Sequence, residues 1–416
     1  MDKRFVLTTA AVVVIAVGAY YAGRTQSGDH GAPPSASQPP PTTALPAGPP
    51  PATPSSAAAP GQAAAPPAVA TATQAPPLRD FDHFRLGNRN VKAMVASDDT
   101  MWIGSSGGVI RYTISKDSHR IYDNKSGLLS NGVFHLDIFE DQLWVGTYGG
   151  GLSIFDIKAG TWRGYNIPDG MGDAFVYDVL HAPNGDTWIA TWSGANRIRQ
   201  NKLDDISAWD LYTVENTKGG LPNDWVYGLA AGKNGEIWLA TEGGVARFEN
   251  EKWTRWTHAE GLGADFGVIK DQMPLDSDPG GASRHHAQQK KEQGLENVSI
   301  AYNPNYVISI AVDDKGGVWA GTWGGGLSHF DGKAWKTFTM ADGLPSNHIF
   351  MLKQAERGIL WIGTNRGLVK YDGTTFKLFT TNDGLFSDNV FSIAEGKDGA
   401  TWVGSFGGIA RFRRHL

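Results

Sequence analysis

Cysteine is absent from all 416 residues. That excludes disulfides, thiolate nucleophiles, Cys-ligated zinc and a lipid-modified N-terminal cysteine, while permitting an oxidising compartment. Charge is also scarce: Asp, Glu, Lys and Arg make up 19% of the chain and the formal net charge is −5. No basic footprint for nucleic acid is present. The Gly-rich turns have no following Lys and helix, so a phosphate cradle is not read, and neither is a hydrolase elbow. Abundance lies elsewhere, in 53 Gly and 15 Trp. Frequent glycine with regularly placed aromatics points to short strands and tight turns rather than helices.

Residues 1–27 read as an N-terminal membrane anchor or signal segment. Phe5 to Gly23 is an uncharged apolar run of 19 residues preceded by Lys3 and Arg4. At about 1.5 Å per residue it just spans a hydrocarbon core of roughly 30 Å. The leading positive charge favours export of everything after it. As a single transmembrane helix, with Tyr20, Tyr21 and Arg24 as an interfacial stop, it would tether the chain to a bacterial inner membrane with the remainder in the periplasm. Cleavage after Val17-Gly18-Ala19 is the alternative, leaving a secreted or periplasmic protein. Residues 28–78 form a Pro/Ala-rich linker, and no charge occurs between Gly31 and Leu78. Such a segment buries too little apolar surface to offset its ordering entropy, so a disordered spacer is expected.

From residue 79 onward one phrase recurs: Trp102-Ile-Gly-Ser, Trp144-Val-Gly-Thr, Trp188-Ile-Ala-Thr, Trp238-Leu-Ala-Thr, Trp319-Ala-Gly-Thr, Trp361-Ile-Gly-Thr and Trp402-Val-Gly-Ser. Successive Trp residues lie 42, 44, 50, 81, 42 and 41 positions apart. All but one interval suit a four-stranded propeller blade. Each unit reads as a short apolar strand, an Asp/Asn/Gly turn, the Trp strand, a Gly-Gly turn, a third strand and an aromatic outer strand. The expectation is an all-β, seven-bladed β-propeller over 79–416. Arg79 to Leu86 would supply the outermost strand of the last blade, which otherwise stops at a third strand. The repeated Trp residues read as packing between blades.

These units resemble the two-component regulator propeller repeat of bacterial periplasmic sensor domains. The residues that carry the resemblance are Gly343-Leu-Pro-Ser-Asn, Gly358-Ile-Leu-Trp-Ile-Gly-Thr and Gly324-Gly-Gly-Leu-Ser-His-Phe-Asp. It implies a ligand-sensing domain. No kinase or output domain follows the propeller, so a signal is expected to pass through an envelope or membrane signalling partner.

Two sets of residues should share one face of such a ring. After the repeated phrase come Ser106, Tyr148, Trp192, Glu242, Trp323, Asn365 and Phe406. Just before each inner strand come Asn90, Gly132, Phe175, Trp225, Tyr306, His348 and Asn389. Aromatic platforms with scattered polar groups suit a small molecule, a sugar or a peptide. Packing of these rings against neighbouring blades is the alternative. The 81-residue interval marks an insertion at about 263–302, with Ser283 capping a short helix from Arg284 to Gln293. It could serve as a lid or docking element, or be passive. His258, His285 and His286 with Asp265, Asp271, Asp276 and Asp278 match no ligand spacing, and no cofactor is implied. The leading reading is a non-catalytic ligand-binding module. An interaction scaffold is the second reading. A lyase or hydrolase is the third, and would need a base such as His348 beside an acid such as Glu242.

Overall fold

The computed structural model describes residues 80–272, 302–413 and 416. Strands alternate with turns throughout, and every named sheet partnership is antiparallel. Five four-stranded sheets follow one another as blades: Val133–Phe139 to Thr161–Tyr165, Val176–His181 to Trp209–Tyr212, Val226–Ala231 to Lys252–Trp256, Asn303–Val312 to Trp335–Phe338, and Ile349–Gln354 to Phe376–Phe379.

The remaining strands form one six-stranded sheet, in the order Val390–Glu395, Thr401–Phe412, Phe81–Ser97, Thr100–Ser105, Gly108–Thr113, Ser118–Tyr122. The expectation of seven separate four-stranded blades is therefore corrected to five blades and one larger sheet. The cause is the length of two strands. Phe81–Ser97 pairs with Thr401–Phe412 through Phe81↔Phe412 to Asn90↔Phe406. It then pairs with Thr100–Ser105 from Val91↔Ser105 to Ser97↔Thr100, so one continuous strand, irregularly paired between Arg85 and Asn90, joins the two chain regions. The expected transmembrane helix is likewise unsupported. Phe5–Gly23 and the linker lie outside the described residues, and no described helix is long and apolar enough to cross a membrane.

Sequence explains the units locally. Five loops carry a capping box whose last member precedes a left-handed Gly: Asp123/Ser126 before Gly127, Asn166/Asp169 before Gly170, Thr257/Glu260 before Gly261, Thr339/Asp342 before Gly343, and Thr380/Asp383 before Gly384. The next residue is then driven into the core, as Leu128, Leu262, Leu344 and Leu385 show. In the turns that follow the repeated phrase, its hydroxyl closes the turn on a glycine carbonyl. Thr147 Oγ1 donates to Gly151 O at 2.7 Å, Thr191 Oγ1 to Gly194 O at 2.7 Å and Thr241 Oγ1 to Gly244 O at 2.9 Å. Glycine is required there because φ is positive and a Cβ on Gly194 would lie 2.1 Å from Tyr212 O.

The repeated Trp residues are buried between neighbouring units, from 0% exposure at Trp144 and Trp402 to 7% at Trp319. Trp188, for example, packs with Leu229, Leu239 and Phe248 of the next blade. The third strand covers the indole with a cation: Arg111 over Trp102 at 5.3 Å, Arg247 over Trp238 at 5.5 Å and Arg411 over Trp402 at 5.1 Å.

Candidate functional site

Seven strands contact one another in a closed circuit: Phe81–Ser97, Val133–Phe139, Val176–His181, Val226–Ala231, Asn303–Val312, Ile349–Gln354, Val390–Glu395 and back to the first. Every one of them carries a register shift at the same place. The ladder jumps from Val91 to Ala93, Val133 to His135, Val176 to Asp178, Val226 to Gly228, Val307 to Ser309, Ile349 to Met351 and Val390 to Ser392. Each shift is a bulge, which frees the skipped residue from the ladder and re-aims its side chain. The skipped residues are Lys92, Phe134, Tyr177, Tyr227, Ile308, Phe350 and Phe391.

These side chains meet across strand boundaries. Lys92 Nζ sits over the Phe134 ring at 4.6 Å. Phe134 lies 4.7 Å from Tyr177, and Tyr177 lies 4.9 Å from Tyr227. Tyr227 lies 5.0 Å from Tyr306, while Ile308 packs beside Tyr306 and Trp323. Trp323 reaches Phe350 at 6.1 Å, which reaches Phe391 at 5.6 Å. A largely aromatic band thus runs along the inner strands from Lys92 to Phe391.

The two residue sets anticipated from sequence interleave above this band. Tyr148 N donates to Gly132 O, Glu242 N to Trp225 O and Phe406 N to Asn389 O. Tyr148 packs edge-on to Phe175 at 4.7 Å, Phe175 lies 4.4 Å from Trp192, and Trp192 stacks on Trp225 at 4.7 Å. On the next stretch Tyr306 stacks on Trp323 at 5.8 Å, and Trp323 meets His348 edge-on at 5.1 Å. Asn365 and Phe406 are half-buried and have no ring contact with this band among the described residues. Trp192, Tyr306, Trp323 and His348 are 2–3% exposed, so much of their area is already packed against protein. Tyr148, Phe175 and Trp225 are half-buried.

Glu242 is fully buried and accepts from Tyr227 Oη at 3.3 Å. Burial, followed by the charge of Glu242, raises the Tyr306 hydroxyl well above its ordinary value and raises Tyr227 likewise. Both phenols stay neutral. The Trp192 indole N–H, 3% exposed, has no partner among the described residues.

Below the band a polar layer ties blades together. Asp178 accepts from His135 Nδ1 at 2.7 Å and from Leu229 N at 2.8 Å, linking three inner strands. Burial opposes the His135 imidazolium, but the hydrogen bond and charge of Asp178, aided by Asp137, outweigh it and raise His135. Lys353 Nζ donates to Ile393 O at 3.1 Å; burial lowers it against the charges of Glu395 and Asp137.

The insertion's described stem rests on the same face. Ala264 N donates to Gly325 O at 2.8 Å, Tyr302 Oη to Ala264 O at 2.7 Å and Asn347 Nδ2 to Gln272 Oε1 at 3.2 Å. His285, His286, Asp276, Asp278 and the expected Arg284–Gln293 helix lie outside the described residues. Among the described ones no group of three or more His, Cys, Asp or Glu could hold a metal. Gly104-Ser105-Ser106-Gly107-Gly108 does spell a Gly-x-Ser-x-Gly pattern. It is a strand-to-strand turn with Ser105 Oγ bonded to Gly108 O, whereas a hydrolase elbow leads into a helix.

The inner band was missed in the sequence reading. Its signal is nonetheless present, because the skipped residue always follows the first Val or Ile of the inner strand.

A sequence profile described as "Two component regulator propeller" matches residues 220–243, 301–324 and 343–366. These are two-component regulator propeller repeats. Each regulator repeat spans the approach to an inner strand, the bulge and the Trp strand. A histidine kinase of Formosa agariphila is 30% identical over 125 residues, covering 28% of this chain and 9% of the kinase. Among solved structures, the extracellular domain of a candidate hybrid two-component system of B. thetaiotaomicron superposes with a TM-score of 0.57 at 16% identity. That match covers 78% of this chain and 40% of that one. A virginiamycin B lyase of Staphylococcus aureus, solved with quinupristin, gives 0.55 at 13% identity, covering 80% of this chain and 98% of the lyase. At these identities the structural likeness concerns the fold alone. The chain thus spans well under half the length of the kinase and sensor proteins it matches.

Proposed function

We propose that this chain is a non-catalytic, extracytoplasmic ligand-binding sensor propeller, whose ligand is a small molecule, sugar or short peptide received at the aromatic band. The observation that carries the reading is the run of seven aligned bulges. A ring built only for packing needs no such device, because its Trp clusters between units already supply the core. Aromatic faces with a few polar groups form the surface that small ligands use. The regulator-propeller matches, and a fold like that of the extracellular domain of a two-component system, support placement outside the cytoplasm.

A thermal-shift screen of the full chain against sugars, aromatic metabolites and short peptides tests this. A ligand at a hundred times its dissociation constant adds about 2.7 kcal/mol of stability. The expected hit is weakened by Phe134→Ala and Tyr148→Ala, both half-buried positions. A hit unaffected by either substitution would place binding elsewhere. No hit, with capture of a defined envelope protein instead, would favour the scaffold reading.

A further inference from the structure

Among the seven bulged positions, six carry aromatic or aliphatic side chains and one carries Lys92. Lys92 is half-buried, and its ammonium rests on the Phe134 face at 4.6 Å. Among the described residues no carboxylate lies within ion-pair distance of it. Burial lowers its pKa to about 8, with no neighbouring acid holding it up. A cation in this setting is costly unless something compensates it, and the Phe134 face does so only in part. The ring could close with an apolar residue here, as it does at the other six positions. The wall beside Lys92 continues as Phe134 and then Tyr177, 4.7 Å apart.

We infer that Lys92 anchors an anionic group, and that the ligand of the band is an aromatic or apolar molecule bearing a carboxylate, its body against Phe134 and Tyr177. This rests on the sensor reading and narrows it. The carboxylate would supply the counter-charge that the fold withholds, in a partly dehydrated site where such a bond is strong. The apolar body would cover the ring faces that flank it. A neutral sugar would leave the ammonium as uncompensated as it is now.

The test uses the full chain with benzoate and phenylacetate, and with their neutral counterparts benzamide and phenylacetamide, measured by calorimetry. Lysines carrying 13C-methyl groups report on the site by NMR, the Lys92 signal being assigned through Lys92→Arg. The expected result is that the carboxylates bind at least tenfold tighter than the amides and move the Lys92 signal. Lys92→Met, which keeps the aliphatic stem, should erase this preference, with about 10- to 100-fold weaker carboxylate binding and a melting point at or above that of wild type, because a costly buried cation is removed. Equal binding of acids and amides, or a preference that survives in Lys92→Met, overturns the assignment and leaves the sensor reading standing. No binding by any of the four, with the Lys92 signal unmoved, also overturns it. The sensor reading is then decided by the broader screen alone.

Discussion

His181 offers a measurable consequence of how tightly the inner layer is packed. Its ring lies flat on Phe139 at 3.9 Å and 10°, meets Trp144 edge-on at 4.6 Å, and is 9% exposed. Thr187 Oγ1 donates to Asn201 Oδ1, so His181 Nδ1 carries the proton and donates to Thr187 at 3.1 Å. Protonation would have to occur at Nε2, which lies 4.0 Å from Asp137 Oδ2 and has no hydrogen-bond partner among the described residues. Burial lowers this histidine from 6.5 to about 4, against the pull of Asp137. A depressed folded-state value means the stabilisation is complete above pH 6.5 and is lost as pH falls toward 4. The shift corresponds to an upper limit of about 3 kcal/mol. Titration is incomplete between pH 7.5 and pH 4.5, which leaves about 2 kcal/mol over that interval. The perturbation is His181→Phe, which keeps an aromatic on Phe139 and cannot titrate. Denaturant unfolding at both pH values should show wild type losing about 2 kcal/mol more than the variant on acidification. Contributions from His135 and the carboxylates are common to both proteins and largely cancel. Equal acid losses would refute the argument that His181 is held neutral by its packing.

Other consequences follow from the same structure. Asp178→Asn removes the hydrogen bond and charge that outweigh burial, so it should lower the His135 pKa below its ordinary value, seen by NMR titration of the imidazole. A raised folded value stabilises the protein below pH 6.5 and is lost as pH rises, so the variant should lose that low-pH advantage. Gly194→Ala places a Cβ 2.1 Å from Tyr212 O at φ +104°, so it should cost about 3 kcal/mol in denaturant unfolding. Thr241→Val removes the donor to the Gly244 carbonyl at near-constant volume and should cost about 1–2 kcal/mol. Phe84→Ala removes a half-buried ring stacked on Trp402 at 5.3 Å, and a loss of about 2–3 kcal/mol is expected, with accelerated proteolysis of the N-terminal strand.

The local chemistry of the repeats was legible from residues 80 to 416. The Trp phrase, the Gly-Gly turn and the Thr-x-x-Asp-Gly-Leu loops each declare their structure within a few residues. A hydroxyl finds its carbonyl and a left-handed Gly finds its turn without outside help. The pairing of Phe81–Arg85 with Gly408–Phe412 was also readable, because a missing strand at one end matched an extra one at the other.

Three features were decided only in three dimensions. The count of sheets depended on whether Phe81–Ser97 would break between its two partners, and backbone continuity across Arg85 to Asn90 is a tertiary outcome. The inner band depended on bulges, which are set by how each strand registers with its neighbour; the Val or Ile that precedes each skipped residue marks the position but not the bulge. Lys92 gained its meaning last. Along the chain it is one lysine among the apolar residues Val91 to Ala96, and only the packing of neighbouring inner strands sets its ammonium on Phe134, with no acid in ion-pair distance among the described residues. Repeat identity is local and therefore written in order along the chain. A site made from one residue of each inner strand comes into being only when the ring closes.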